Sequence, residues 1–231
     1  MGIQSETLRP RLFINTTGGN GVRSVKDIRT GLQDPYAAKL WEQLEQKVDH
    51  EMGEPTLTPR TALPGRSAVQ VEHGNREYEL VAHTANRIQD ASLVGLIRDD
   101  RQCAESVLKQ ILCIYDEDQW PAIEDVTHLA HGDHCSLRSG QLALAIACAY
   151  DWLHPLLDED ERASILEGFD TRFTKAYRAA LESGDRWVDW RHNFCAVIYG
   201  GFAIAGMAFG EDYSESDWLV QTGKPAMDEY F

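Results

Sequence analysis

Residues 194–209, FCAVIYGGFAIAGMAF, admit very few folds. Phe194, Val197, Ile198, Gly201, Phe202, Ala205, Ala208 and Phe209 recur at helical spacing, while Ala196, Gly200, Ala203 and Gly206 leave the opposite face almost bare of side chains. Such a helix offers water no polar face and has to be enclosed by neighbours. Directly upstream, Trp187, Trp190 and Phe194 stand at i, i+3 and i+7 beside Arg186, Arg191, His192 and Asn193. Aromatic surface mixed with charged and amide groups suits sugar rings that carry acids. The same pattern suits an aromatic core edge, with Asn193 as the N-cap of the buried helix.

The 3.6-residue period runs through nearly the whole chain, and strand-like character is confined to residues 67–71. The expected class is therefore all-α. Asp34 as N-cap and Pro35 at the first helical position open a helix that runs through Leu40, Trp41, Leu44 and Val48 to about Met52. Pro55, Pro59, Pro64 and Gly65 then break the chain. Tyr78, Val81, Ala85, Ile88 and Ser92 trace a second long helix, and a third covers residues 100–115. Residues 139–153 are apolar nearly all round, whereas 158–181 are amphipathic, with Ile165, Phe169, Phe173, Tyr177 and Leu181 on one face. His154-Pro155 separates these two, and Asp158 with Glu161 forms a cap-like pair. The contrast recurs between the buried 194–209 segment and an exposed-looking one from about Ser214. Paired inner and outer helices predict an incomplete (α/α) toroid built from helical hairpins. Residues 1–66 form an N-terminal arm, first helix and Pro-rich linker, and 67–231 the toroid portion.

Acidic residues outnumber basic ones 37 to 22, for a formal net charge of −15 spread along the chain, which argues against nucleic acid and membrane surfaces as partners. An acidic ligand would need a locally positive cleft inside an adverse field, and short-range contacts would hold it. Cys103, Cys113, Cys135, Cys148 and Cys195 lack CxxC spacing and read as buried free thiols. The opening MGIQSE has neither a basic nor an apolar signal-type region, so the chain as given reads as cytoplasmic, or as periplasmic or secreted if a signal has been removed.

Three segments carry a family resemblance: PRLFIN at 10–15, HLAHGDHCSLRSGQLALAIACAYDWL at 128–153 and HNFCAVIYGGFAIAGMAF at 192–209. With DPYAAKLWEQLEQKVD between the first two, they make the chain resemble the heparinase II/III-like and oligoalginate lyase superfamily. The resemblance covers most of the chain. It implies the N-terminal part of an (α/α) toroid, which in that family is longer and is followed by an antiparallel β-sandwich region. The implied activity is that of a polysaccharide lyase, β-elimination on uronic-acid-containing oligo- or polysaccharides of alginate or heparin type. A base removes the C5 proton, the C4 oxygen leaves with a proton, and a group neutralising the carboxylate stabilises the enolate-like charge. By resemblance Asn193 is the neutralising asparagine. The family's Tyr and second His come from later in its chain, so residues 1–231 alone are expected to lack the full catalytic set.

His192 is the second catalytic candidate and Arg191 a substrate-binding one, although neighbours at a helix start point about 100° apart. Trp187 and Trp190 are candidate stacking platforms. His131, His134, Arg138 and Gln141 are candidate cleft residues before and at the start of an inner helix. The group His128, His131, Asp133, His134 and Cys135 has metal-ligand residue types, but its spacing matches no closed tetrahedral set and Gly132 interrupts it, so no metal is expected. No GxGxxG, Walker loop, GxSxG or HExxH occurs, so no cofactor is expected either. The expected partner is an acidic oligo- or polysaccharide, with self-association where the apolar helix lacks neighbours. Two rival readings stand beside this one. One is a glycoside hydrolase on a similar toroid, with Asp133 and Asp189 as its carboxylates; the other is a non-catalytic carbohydrate-binding or helical fragment.

Overall fold

The computed structural model describes residues 8–19, 21–60, 76–124, 126–189 and 193–230. Among them, strands are limited to β1 (Ile14–Asn15) and β2 (Arg23–Ser24), paired in parallel. The class is all-α. A two-residue ladder is too short to imprint a period on the sequence, so this small sheet was not foreseen; residues 67–71 lie outside the described residues.

The helices begin where local chemistry starts them. Ser24 forms a reciprocal cap with Asp27 at α1 (Val25–Gly31), and Asp34 accepts from the N–H groups of Tyr36 and Ala37 at α2 (Pro35–Met52). Then follow α3 (Arg76–Arg98) and α4 (Arg101–Tyr115), the latter capped by Asp100. The single-turn α5 (Val126–Ala130) falls in what reads as loop. The apolar α6 (Leu137–Leu153) is capped by Ser136, and Asp158 with Glu161 starts α7 (Glu159–Phe169). One π turn at Asp170–Thr174 joins α7 to α8 (Lys175–Ser183), without breaking the buried stripe of Ile165, Phe169, Phe173 and Tyr177. The chain continues through α9 (Asn193–Phe209) and α10 (Ser216–Tyr230).

Three of these helices lie side by side, α3 against α6 and α6 against α9. On the other flank of α9 lies α10, while α4 packs on α3 and α7. The enclosure that the α9 sequence demands is supplied by glycine contacts on both sides. A Cβ on Gly201 would press into the Gly140 carbonyl group of α6, with its carbon 2.9 Å away. A Cβ on Gly206 would meet the Ser216 oxygen at 2.5 Å, and one on Gly223 of α10 the Tyr199 oxygen at 2.6 Å. Backbones this close exclude water and leave no room for side chains. Residues Asn193–Asp212 are apolar and long enough to cross a membrane by length and composition, with a mean hydropathy of 1.5; here the stretch is a core helix between two partners.

Around α9 the core is aromatic. Tyr177 stacks on Phe202 at 4.0 Å, and Phe169 meets Phe173, Phe202 and Phe209 at 4.8–6.1 Å. The N-terminal arm is tied into the same body through Asp151 at the end of α6. This fully buried carboxylate accepts from the backbone N–H groups of Arg11 and Leu12, each at 2.8 Å, and lies 3.2 Å from Arg9 Nη1. Arg9 also bonds the last carbonyls of α9 at Ala208 and Phe209. Leu12, Val48 and Leu57 share one hydrophobic cluster with α3, α6 and α9, so the described part of residues 1–66 packs as an integral layer. The boundary expected at residue 66 lies outside the described residues.

Candidate functional site

Gly132, in the left-handed region at φ 75°, turns the chain out of α5, and Ser136 starts α6. Between them Asp133 is drawn inside. Its Oδ2 lies 2.7 Å from His128 Nδ1 and accepts from Arg186 Nη2 at 2.6 Å. Burial pushes this carboxyl up, but the Arg186 guanidinium and His128 outweigh that and hold it below the ordinary carboxylate range. The result is a clasp between the histidine-rich loop and the segment leading into α9. The ring of Phe194, on the first turn of α9, lies 6.3 Å from that of His128.

Asp185 makes a second clasp. It follows Gly184, whose left-handed φ of 68° ends α8. Its carboxylate accepts from the N–H groups of His134 at 2.5 Å and Cys135 at 3.1 Å and from Ser183 Oγ at 2.8 Å, and lies 3.0 Å from His134 Nδ1. Burial opposes ionisation here too, and these donors, His134 foremost, overcome it and depress the pKa. Both histidines thus turn Nδ1 to a buried carboxylate. That geometry puts the proton of the neutral ring on Nδ1 and the basic lone pair on Nε2.

Beneath the clasp lies Glu124, 8% exposed. Ser139 Oγ donates to its Oε1, while Oε2 has no hydrogen-bond partner among the described residues. Burial raises the Glu124 carboxyl above its usual range against the opposing pull of Ser136, Ser139, His128 and Arg138. Glu124 and the buried Arg138 form part of the wall of a cavity of about 270 Å³, otherwise apolar, with Leu80, Val81, Trp120, Ile123 and Leu129.

The residues expected from sequence divide as follows. His134 pairs with Asp185, and Arg138 lies in the cavity wall with Glu124. His131 is exposed beside them, and Gln141 is half-buried on the first turn of α6. Asn193 is exposed as the first residue of α9. Trp190, Arg191 and His192 lie outside the described residues. Trp187 is a correction. It is 1% exposed, stacked on Tyr177 and edge-on to Tyr199, so neither ring face is open to a sugar. Asp189 is exposed in a separate cleft of about 210 Å³ with Tyr199, Cys195 and Glu229. Among the described residues no three His, Cys, Asp or Glu side chains gather as a metal-binding group, and all five cysteines are free.

Glu124 and Asp185 escaped the sequence reading altogether. Glu124 sits in no motif; for Asp185 the only local signal is the helix stop at Gly184, and its partners lie about 50 residues upstream. No protein-family model matches the chain, and no curated protein matches it significantly.

Proposed function

We propose that this chain is the toroid portion of a heparinase II/III-like polysaccharide lyase, acting by β-elimination on uronate-containing oligo- or polysaccharides. The observation that carries the reading is the Asp133 clasp. The resemblance singled out the segments 128–153 and 192–209, and Asp133 with Arg186 joins the first to the approach of the second. The contacts of α3 with α6, of α6 with α9, of α9 with α10 and of α4 with α3 and α7 are compatible with an arc of such a toroid. In this reading Asn193, with Arg191, neutralises the substrate carboxylate and so makes the C5 proton removable. His192 serves proton transfer, and His128 joins it as an imidazole whose ring Asp133 orients.

The hydrolase alternative fits less well. It needs Asp133 and Asp189 to flank one glycosidic bond, whereas Asp133 is enclosed by His128 and Arg186 and Asp189 lines a separate cleft.

Incubation with alginate, heparan and other polyuronate oligomers separates the three readings. In a longer form that supplies the family's Tyr and second His, release of an ultraviolet-absorbing unsaturated uronate is the expected result. Cleavage without that chromophore identifies a hydrolase, binding without cleavage a carbohydrate-binding module, and failure to bind any uronate oligomer sinks the lyase reading. Where turnover is seen, Asn193→Ala is expected to lower kcat by about 10²- to 10³-fold, the loss typical of one preformed donor to a developing oxyanion. Unchanged turnover removes Asn193 from the mechanism.

A further inference from the structure

The pairing of Asp185 with His134 does more than hold a loop. The Asp185 side chain is 2% exposed, and its Oδ1 lies 3.0 Å from His134 Nδ1. Its Oδ2 accepts from the backbone N–H groups of His134 and Cys135, so the carboxylate is fixed on both oxygens. Burial opposes ionisation, and these donors overcome it, so the group stays charged. A buried carboxylate on Nδ1 keeps the ring proton there, sets the ring plane and stabilises the imidazolium that forms when the other nitrogen takes up a proton. Nε2, on the far side of the ring, carries the basic lone pair.

Accessibility separates the two carboxylate-bound histidines. The His134 side chain is 44% exposed, against 17% for His128, so a polymer at the rim of the clasp reaches His134 first. Ser183 Oγ, 3.3 Å from His134 Nδ1 and 2.8 Å from Asp185 Oδ1, is on the carboxylate side of the ring. A serine nucleophile has to sit at Nε2, so these three residues are not an acyl-transfer triad, and Nε2 is left to exchange protons with a ligand. The surroundings are those of the uronate site. Asp133, next in sequence to His134, binds His128 and Arg186, and the His128 ring lies 6.3 Å from that of Phe194, the residue after Asn193.

The geometry points to His134 as the base that removes the C5 proton, with Asp185 as its positioning residue. On the lyase reading, which this assignment requires, Nε2 accepts the C5 proton and the C5–H electron pair becomes the C4=C5 double bond. The C4–O bond breaks with its pair on the leaving oxygen, and protonation of that oxygen falls to His192. Asp185 balances the charge gained by the imidazole.

Diethylpyrocarbonate, which acylates accessible neutral imidazoles, tests the contact in the chain as it stands. His50, exposed on α2, is the internal control. A uronate oligomer at about ten times its Kd should slow modification of His134 by about tenfold, the factor by which the free form is then depleted, and leave His50 unchanged, as read by peptide mass spectrometry. In a longer form that turns polyuronate over, His134→Gln should lower kcat by about 10²- to 10⁴-fold with KM little changed. Imidazole added to His134→Gly should restore part of that rate, which a lost structural contact would not allow. Asp185→Asn keeps an acceptor for the two N–H groups and removes the charge, and should lower kcat without changing the oligomer Kd. An oligomer that binds yet leaves His134 as reactive as before overturns the assignment and spares the lyase reading, as does an unchanged kcat in His134→Gln. An unchanged kcat in Asp185→Asn overturns the positioning role. Failure of every uronate oligomer to bind takes the lyase reading and this assignment down together.

Discussion

The close crossing of α6 and α9 makes a quantitative prediction from two adjacent glycines. On Gly201 an added Cβ would press into the Gly140 carbonyl and stand 3.1 Å from the Gly140 Cα, all backbone atoms that no rotamer change can move. On Gly200 the nearest atoms are Met227 Sδ at 3.7 Å and Cε at 3.9 Å, which is ordinary contact with a flexible side chain. Alanine is favoured over glycine in a helix by about 1 kcal/mol at either position. For Gly200→Ala that preference stands alone, and the expected change is a gain of up to about 1 kcal/mol. For Gly201→Ala the two helices have to part. Overpacking typically costs about 1–3 kcal/mol, and a backbone obstacle places this case at the upper end, leaving a net loss of about 2 kcal/mol. In a chain of this length 1 kcal/mol moves Tm by about 2–4 °C, so Gly201→Ala should lower Tm by about 4–8 °C and Gly200→Ala raise it by about 2–4 °C. Thermal unfolding followed by circular dichroism, with urea titration as a check, reads both. Equal shifts in the two variants would refute the argument that backbone contact, and not helix propensity, governs this interface.

Asp151→Ala should be far more damaging than an average core substitution, because it leaves two backbone N–H groups without their acceptor and takes from Arg9 its buried carboxylate partner. Breaking one partner of a buried pair costs about 3–5 kcal/mol, read as a Tm drop of about 6–20 °C; a drop under 3 °C would show that the N-terminal arm is not anchored there. Arg186→Gln tests the Asp133 clasp through pH. Asp133 is depressed in the folded protein, so its contribution is present above the unfolded carboxyl pKa of about 3.9 and is lost as pH falls through the lower folded value. The variant should therefore be less stable at neutral pH and lose less Tm than the parent on acidification below about pH 5; parallel Tm–pH curves would refute the clasp.

The elements legible in the sequence are those whose signal is long or chemically specific. Asp34-Pro35 and Asp158 with Glu161 start helices where such residues do so for local reasons, and the stripe through Ile165, Phe169, Phe173 and Tyr177 repeats often enough to be unmistakable. The β1–β2 pair and α5 are too short to carry a period, and the π turn at Asp170–Thr174 leaves Phe169, Phe173 and Tyr177 buried on one stripe. Trp187 shows the other kind of limit. Aromatic residues at i, i+3 and i+7 describe an exposed platform and a buried seam equally well, and what decides is Tyr177, ten residues upstream on α8. The candidate site was legible in its residue types and not in its pairing. His128, Asp133 and His134 were visible as a cluster, yet their spacing says nothing of Arg186 and Asp185, which reach them from about 50 residues downstream. Glu124 is invisible for a simpler reason, since a lone glutamate outside any motif reads as surface until the fold closes over it.

The net charge of −15 sets a further test of the lyase reading, because substrate and protein would then share a sign. At about 0.01 M ionic strength charges act over about 30 Å, so an approaching uronate oligomer feels the acidic exterior well before it reaches Arg186. At about 0.15 M that range shrinks to about 8 Å, and the far acids drop out while contacts inside the site keep most of their strength. The association rate should therefore rise by several-fold, up to about tenfold, between these two salt concentrations, measured by stopped-flow binding of a labelled oligomer. Proteins that attract polyanions through a positive surface behave in the opposite way, losing rate steadily as salt is added. A monotonic fall from the lowest salt upward would mean that a positive surface outside the described clasp steers the ligand, and that Arg186 and Asp133 are not its point of entry.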